Sequence, residues 1–154
     1  MKPLTACSAG ENQFLYNLFA RTIVPEVIPA LRYYGLGLIL WSPLGGGLHG
    51  GVLKKIQGGR HLTPQMQQTI ERYRPQLEAY EKLCADLGEQ PPDVALAWLL
   101  HNPAVTVTIV GPRTTEQLAT SGRAFDVTLP EDALDKLDEI WPGPGGEAPE
   151  AYCW

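Results

Sequence analysis

The chain has 154 residues, enough for one ordinary domain, and 44% of them are hydrophobic, enough to build a core. Its net charge at pH 7 is −5 and no basic run is present, so we expect no nucleic-acid partner. No apolar stretch approaches the roughly 20 residues that span a bilayer, and the first residues lack a signal-peptide core, so we expect no membrane partner. Cys7, Cys84 and Cys153 are odd in number and widely spaced. This favours a reducing, cytoplasmic location over a disulfide framework.

Three short segments are predicted to be β-strands. The first covers residues 4–9 and ends at Gly10. The second, residues 36–41, is continuously apolar, which predicts burial on both of its faces, as in a parallel sheet. The third covers the β-branched residues 105–110. Typical sheets have about five or six strands, so three are few.

Helical periodicity separates the strands. A helix over residues 24–34 places Val24, Val27, Ile28 and Leu31 on one face and ends at Gly35, with Pro29 tolerable only in the first turn or at a kink. The other predicted helices cover residues 63–87, divided near Pro75, and residues 94–100, 115–125 and 130–141. Alternating strands and helices indicate an α/β fold with a parallel sheet, followed by an irregular tail over residues 142–154.

Glycines follow the second strand. Seven of the fifteen residues in 45–59, which we call the glycine-rich loop, are glycine. Such glycines can free backbone N–H groups for a phosphate, and ligands bind where loops leave the carboxyl ends of parallel strands. The turn after the third strand opens onto a helix. The sequence therefore indicates a nucleotide-binding α/β protein.

Several motifs occur in a fixed order along the chain: Gln13 with Tyr16-Asn17, Pro29 with Gly35-x-Gly37, Trp41-Ser42-Pro43-Leu44, Ala95-x-Ala97-Trp98-Leu99, Gly111-x-Arg113 with Gln117-Leu118, and the ending Pro149-Glu-Ala-Tyr-x-Trp154. In residues and in order they resemble the aldo-keto reductases, in particular the bacterial branch related to potassium-channel β subunits. The resemblance implies part of a (β/α)8 TIM barrel, roughly its last three β/α units. On this interpretation residues 1–154 are the C-terminal portion of an NADP-dependent oxidoreductase domain.

The resemblance also implies which residues bind NADP(H). Gln13 would contact the nicotinamide carboxamide, and Trp41 would stack on the nicotinamide ring. The pyrophosphate would be lined by Ser42, Pro43, Leu44, Gly45 and Gly46. The adenosine 2′-phosphate and the adenine would be surrounded by Gly111, Arg113, Gln117 and Ser121, with Arg113 able to bind a phosphate through two hydrogen bonds.

Simpler explanations exist for each of these residues. A tryptophan at a strand end can be a core residue, Arg113 can be a solvated loop residue, and Gln13 can cap the next turn.

His49, His61 and His101 have no metal-binding spacing and are predicted to be surface or loop residues, so we predict no metal site. Met66, Tyr73 and Tyr80 form an apolar helical stripe and are predicted to face a core or an interface.

The family's catalytic Asp, Tyr, Lys and His lie on its first four strands, which no segment here matches, so we assign no catalytic residue. Three hypotheses follow. The chain acts with a complementary N-terminal half, or it is a non-catalytic dinucleotide-binding or structural module, or it is the product of a truncated reading frame. An exposed face of the sheet could be covered by a complementary half or, alternatively, by self-association.

Overall fold

The computed structural model describes residues 11–54 and 63–144. In this part of the chain three strands and six α-helices alternate, with two short 3-10 turns at Gly45–Gly47 and Gly122–Phe125. The elements in chain order are β1 (Glu11–Leu15), α1 (Val27–Tyr34), β2 (Gly37–Trp41), α2 (Pro64–Arg72), α3 (Arg74–Leu87), α4 (Pro91–His101), β3 (Val105–Thr108), α5 (Thr115–Ser121) and α6 (Glu131–Ile140). The predicted α/β fold with a parallel sheet is confirmed.

The three strands form one parallel sheet in the order β1-β2-β3. Gln13 lies opposite Ile39, and a shift in register after Leu38 places Val107 on the other side of Ile39. Strand β1 was not predicted from the sequence, and the strand expected at residues 4–9 lies outside the described residues. Strand β3 ends at Thr108, two residues earlier than predicted.

Most predicted helix signals are found where the sequence placed them. Gly35 ends α1 with a left-handed φ of 65°, which a glycine adopts without steric cost. The Thr63 side chain caps α2 by accepting a hydrogen bond from the Met66 amide (3.3 Å), and Pro75 lies in the first turn of α3, after the division from α2. Thr115–Ser121 is α-helical, but the rest of the predicted segment to Phe125 tightens into a 3-10 turn.

Helix α1 begins later than predicted. It starts at Val27 rather than at residue 24, so Val24 is exposed and does not face the core, as the sequence had suggested. Pro29 explains the difference, because proline has no N–H to donate and is tolerated only in the first turn of a helix. With the start at Val27, Pro29 is the third helical residue, as the first-turn alternative required.

The core lies on one side of the sheet only. Leu38 and Leu40 of β2 are fully buried, and the helices supply their neighbours in the same cluster, among them Leu77, Tyr80 and Leu99. Met66 and Tyr73 pack against this cluster, which confirms their predicted core positions. Because successive strand residues point to opposite faces, the buried Leu38 and Leu40 leave Ile39 and Trp41 on the other side.

That other side is the open face, which we define by Gln13, Leu15, Ile39, Trp41, Val107 and Ile109. Four of its apolar side chains are well exposed: Leu15 (37%), Trp41 (46%), Val107 (47%) and Ile109 (42%). The prediction that residues 36–41 are buried on both faces is therefore wrong for the described structure. The strand is apolar at alternating and intervening positions alike, but helices cover only one of its two faces.

No helix in residues 11–54 or 63–144 is both long enough and apolar enough to cross a bilayer. The described end of the chain, residues 142–144, is neither helix nor strand, and the rest of the predicted irregular tail lies outside the described residues.

We expect the exposed apolar side chains of the open face to drive self-association or dye binding. At roughly 25 cal/mol per Å² of apolar surface, a few hundred Å² left in water costs several kcal/mol. Replacing Val107 and Ile109 together by threonine should lower both the scattering mass and ANS fluorescence while preserving strand propensity. The control is Phe125→Thr, which removes an exposed apolar side chain outside the sheet. A monodisperse wild-type monomer that binds no ANS would contradict the expectation.

Candidate functional site

The carboxyl ends of the three strands meet at one edge of the sheet. Leu15 pairs with Trp41, and the Ile109 amide donates a hydrogen bond to the Leu40 carbonyl (2.8 Å), which extends the contact beyond β3. Gln13 and Trp41 both project from the open face near this edge and are exposed. The structure therefore brings the two predicted nicotinamide contacts onto one surface. It places Trp41 outside the core and Gln13 inside a strand rather than at a turn.

Ser42, the first residue after β2, has a strained backbone. Its φ of 54° is the one positive φ of a non-glycine residue in the described part of the chain. Side chains with a Cβ rarely adopt this region, and such residues concentrate at functional sites. Three donors hold the residue in place: the Asn17 side-chain amide and the Gly45 amide donate to the Ser42 carbonyl (both 2.9 Å), and the Gly46 amide donates to Ser42 Oγ (3.0 Å).

The glycines do not present free amides, contrary to the expectation from the sequence. The Gly45 and Gly46 amides donate to Ser42, and the Gly47 amide donates to the Leu44 carbonyl (3.0 Å). The three residues have φ values of 59°, 69° and 107°, so glycine is needed here to permit the tight turn. The Ser42 hydroxyl accepts the Gly46 amide and keeps its own proton to donate. Pro43 is buried and Leu44 packs against the core, so both support the turn.

Asn17 joins the loop after β1 to the loop after β2. Its buried side chain donates from Nδ2 to the Ser42 carbonyl and accepts at Oδ1 from the Phe19 and Ala20 amides (3.0 and 2.8 Å). The sequence identified Asn17 only as part of a family motif and gave it no role. The structure shows that this side chain holds the strained backbone at the carboxyl edge of the sheet.

The residues predicted to surround the adenosine end lie after β3. The Arg113 amide donates to Gln117 Oε1 (2.8 Å), and Ser121 Oγ donates to the Gln117 carbonyl (2.7 Å), so the Gln117 side chain closes the loop onto helix α5. Thr114 caps the helix by accepting the Gln117 amide (3.1 Å). Gly111 and Arg113 are exposed, and α5 has no buried residue. This segment is organised locally and presents its polar groups to solvent.

His49 corrects a prediction. It was expected on the surface or in a loop, and it does lie in the glycine-rich loop, but it is 0% exposed. Its ring packs edge-on against Tyr80 and Trp141, with centroids 5.6 and 5.3 Å apart, and neither ring nitrogen has a hydrogen-bond partner. Burial, with a smaller effect of the Arg21 charge, lowers the pKa of His49 to about 3. The histidine is therefore a neutral side chain of the loop that packs into the core.

The Cys84 thiol shows no sign of catalytic tuning. Burial raises the pKa of the Cys84 thiol to about 12, which suppresses the reactive thiolate. Among the residues in the structure's two described ranges, no group of three or more His, Cys, Asp or Glu side chains is placed to hold a metal ion. His101 is exposed, as predicted, and His61 lies outside the described residues.

A cavity of about 800 Å³ lies away from the predicted cofactor residues, between the β1–α1 loop and the ends of α4 and α6. Arg21 lines it and is buried, with Nη1 2.6 Å from Asp138, Nε donating to the Leu18 carbonyl and the guanidinium 4.4 Å above the Trp98 ring. Its hydrogen-bonding groups are thus engaged within the protein. Arg21 ties the β1–α1 loop to α6, which is a structural role.

The fold and site define an α/β protein whose polar residues gather at the carboxyl edge of a parallel sheet. The model of the "Aldo/keto reductase family" matches residues 7–142, so the chain belongs to this family and the resemblance is confirmed. The chain is 49% identical over 142 residues to a Bacillus subtilis protein named "Uncharacterized oxidoreductase YrpG", covering 92% of this chain and 43% of that protein.

More distant relatives include potassium-channel subunits. The identity is 30% over 140 residues to a "Putative voltage-gated potassium channel subunit beta" of Schizosaccharomyces pombe, covering 81% of this chain and 40% of that protein. It is 28% over 140 residues to a "Probable voltage-gated potassium channel subunit beta" of Oryza sativa subsp. japonica, covering 81% of this chain and 42% of that protein. The chain therefore spans less than half the length of these relatives.

We expect Asn17→Asp to destabilise the site. Aspartate can still accept the Phe19 and Ala20 amides, but it cannot donate to the Ser42 carbonyl and places an anionic oxygen against it. The Ser42 carbonyl keeps the Gly45 amide, but one hydrogen bond is lost and two acceptor oxygens are set against each other, so the free energy of unfolding in urea should fall by about 1–3 kcal/mol. Asn102→Asp is the matched control, since its Oδ1 also caps a nearby amide but its long-range bond to Tyr16 is longer (3.4 Å). Equal losses in the two variants would contradict a special role for Asn17.

His49 should make stability depend on pH. Because the pKa is about 3 in the folded state and near its ordinary 6.5 when unfolded, only the unfolded chain takes up the proton between these values. Stability should therefore fall as pH drops below about 6, by roughly 1.4 kcal/mol per unit from this group. The free energy of unfolding can be measured in urea between pH 7 and pH 4.5. It should fall less steeply with decreasing pH in His49→Leu than in the wild type, whereas the exposed-site control His101→Gln should behave like the wild type. Parallel slopes for wild type and His49→Leu would rule the effect out.

Proposed function

We propose that this chain supplies the NADP(H)-binding part of an aldo-keto reductase, an enzyme class that reduces carbonyl compounds. The observation that carries the proposal is that Gln13 and Trp41 are both exposed on the open face of neighbouring strands, with Trp41 at the carboxyl edge, two residues beyond the Ile39 that pairs with Gln13, and next to the strained Ser42. Ligands of parallel α/β folds bind at this edge. The bound cofactor supplies the hydride, and the chain's own residues hold and orient it.

The nicotinamide end is assigned to the open face. Trp41 offers an aromatic surface wide enough for a nicotinamide ring, and Gln13 offers an amide that can both donate to and accept from a carboxamide. The two side chains come from neighbouring parallel strands, Gln13 opposite Ile39 and Trp41 two residues further along β2. A ring stacked on Trp41 would thus have the Gln13 amide on the β1 side.

The pyrophosphate is assigned to Ser42, Pro43, Leu44, Gly45 and Gly46. Because the glycine amides are engaged inside the loop, the Ser42 hydroxyl is the donor that this turn can offer without rearrangement. The glycines contribute because none of them carries a side chain that would block an approaching ligand. In this assignment the pyrophosphate is held mainly by Ser42 and not by a set of free backbone amides.

The adenosine end is assigned to Gly111, Arg113, Gln117 and Ser121. The Gln117 side chain fixes the backbone at Arg113, which positions the exposed guanidinium beside the start of α5. A guanidinium binds a phosphate through paired, charge-assisted hydrogen bonds, whereas a ribose without the 2′-phosphate offers no such partner. Arg113 is thus the residue on which a preference for NADP(H) over NAD(H) depends.

We assign the three strands to the sixth to eighth strands of a (β/α)8 barrel. A parallel sheet covered by helices on one face only, with an apolar open face, is the geometry that a segment cut from such a barrel would have. The open face would line the barrel interior, covered by a complementary N-terminal half or, failing that, by a second copy of the chain. The family's catalytic residues would come from that complementary half.

A non-catalytic dinucleotide-binding or structural module is the second candidate. The observation that favours it is the composition of the open face, whose six residues include no acid or base. A general acid beside the reacting carbonyl typically contributes about 10²–10⁴-fold to the rate. A chain that binds the cofactor through this face but lacks such a group would hold the dinucleotide without turning it over.

We expect measurable but weak binding of NADPH, tighter than that of NADH. Titration followed by NADPH fluorescence or by calorimetry should show this preference in the wild type. Arg113→Ala should weaken NADPH binding about tenfold or more, and leave NADH binding nearly unchanged, because a charge-assisted contact to the 2′-phosphate is lost. The control Arg32→Ala removes an exposed arginine of α1 that borders the cavity lined by Arg21, away from the predicted cofactor residues. If NADPH and NADH bind alike and Arg113→Ala changes neither affinity, the assignment of Arg113 is wrong.

A further inference from the structure

Ser42, the residue assigned to the pyrophosphate, is held by a side chain from a different loop. Asn17 Nδ2 donates to the Ser42 carbonyl (2.9 Å), and the two residues are 25 positions apart in the sequence. The other two hydrogen bonds that hold Ser42 come from the Gly45 and Gly46 amides, which belong to the same turn and would move with it. Of these three bonds, the one from Asn17 is therefore the one that ties Ser42 to another part of the fold.

The Asn17 side chain is itself held in one orientation. It is 1% exposed, and its Oδ1 accepts the Phe19 and Ala20 amides (3.0 and 2.8 Å). An inverted amide group would set Nδ2 against these two donors and Oδ1 against the Ser42 carbonyl, so the observed orientation is the one that satisfies every partner. The Phe19 ring also packs edge-on against Trp141, with centroids 5.8 Å apart, which anchors this turn to the core. Asn17 thus presents a fixed donor to Ser42.

This donor matters because the φ of Ser42 is 54°. A residue with a Cβ is more stable at a φ near about −60°, so a released Ser42 would rotate by roughly 100° about its N–Cα bond. The rotation would turn the Cβ and the hydroxyl away from their present direction and would break the bond from the Gly46 amide to Oγ. The bond from Asn17 therefore acts on the direction of the Ser42 hydroxyl as well as on the backbone.

We propose that Asn17 is a positioning residue for the dinucleotide, because it holds Ser42 in the left-handed conformation that directs the hydroxyl to the pyrophosphate. This role rests on the proposed function, which assigns that hydroxyl to the pyrophosphate. Asn17 acts through Ser42 and not by touching the cofactor. Since NADPH and NADH share the pyrophosphate, loss of Asn17 weakens the binding of both by the same factor, whereas loss of Arg113 weakens the binding of NADPH alone.

Asn17→Ser tests this role. The introduced hydroxyl can still accept an amide two or three residues further on, but it is too short to reach the Ser42 carbonyl, and it adds no charge beside an anionic cofactor. The chain is titrated with NADPH and with NADH at a temperature where circular dichroism shows that each variant is fully folded. Asn17→Ser should bind both cofactors about tenfold more weakly than the wild type. The control Asn102→Ser removes an asparagine that caps the Ala104 amide (3.0 Å), and it should leave both affinities unchanged.

Two substitutions at Ser42 separate the hydroxyl from the backbone. Ser42→Ala removes the hydroxyl and keeps the Cβ, so it should weaken both cofactors by itself, and adding Asn17→Ser should then cause no further loss of affinity. Ser42→Gly accepts a φ of 54° without steric cost. In urea, Asn17→Ser should therefore raise the unfolding equilibrium constant by about tenfold in the wild-type and Ser42→Ala backgrounds, but by only about threefold with Ser42→Gly.

The outcomes distinguish a failure of this role from a failure of the proposed function. If the wild type binds neither cofactor, the proposed function is wrong and the positioning role falls with it. If the wild type binds NADPH and the folded Asn17→Ser binds it equally well, the function stands and Asn17 is merely structural. The role is also overturned if Asn17→Ser weakens binding as much with Ser42→Ala as without it. Equal unfolding effects in the serine and glycine backgrounds, a result that needs no cofactor, would likewise show that Asn17 does not hold the φ of Ser42.

Discussion

The structure depends on the burial of one face of strand β2. Leu38 and Leu40 are fully buried under the helices, and the backbone of the same strand pairs with β1 on one side and β3 on the other. Because side chains alternate along a strand, burying these two leucines fixes which residues face away from the helices. Trp41 is thereby held at the surface, at the carboxyl edge, where its neighbours across the sheet are Leu15 and the segment after β3. The helical core thus sets the position of the candidate site.

The loop that follows β2 is fixed by buried side chains, most of which come from outside it. Asn17 holds the Ser42 carbonyl from the β1 side, His49 and Trp141 fill the space beneath the loop, and Glu81 binds the amide of Leu53 at its far end. Glycine-rich segments are otherwise costly to order, since glycine loses more conformational freedom than other residues. These contacts offset that cost and hold the strained φ at Ser42.

Local signals in the sequence predicted most of the elements, and long-range contacts explain the failures. Gly35, Thr63 and Pro75 act within a few residues of themselves, so the helix ends they mark could be read from the chain. Strand β1 could not, because Glu11–Leu15 lacks a β-branched run and exists as a strand through pairing with β2. The burial of His49 in its loop was missed for a similar reason, since it depends on Tyr80 and Trp141, 31 and 92 positions further on in the sequence. Asn17 belonged to a recognised motif, but the motif did not indicate which group its side chain binds.

The correction at the glycine amides changes how a phosphate would be held. A cradle of free N–H groups would bind by backbone donation alone, and any residue could stand at position 42. Here the amides of Gly45 and Gly46 are already bonded to Ser42, and breaking either bond would offset part of the free energy gained by a new bond to a phosphate. The hydroxyl proton of Ser42 carries no such cost. Under the assignment proposed above, the ligand would accept one hydrogen bond at Ser42 and would be positioned mainly by its two ends, the ring on Trp41 and the phosphate at Arg113.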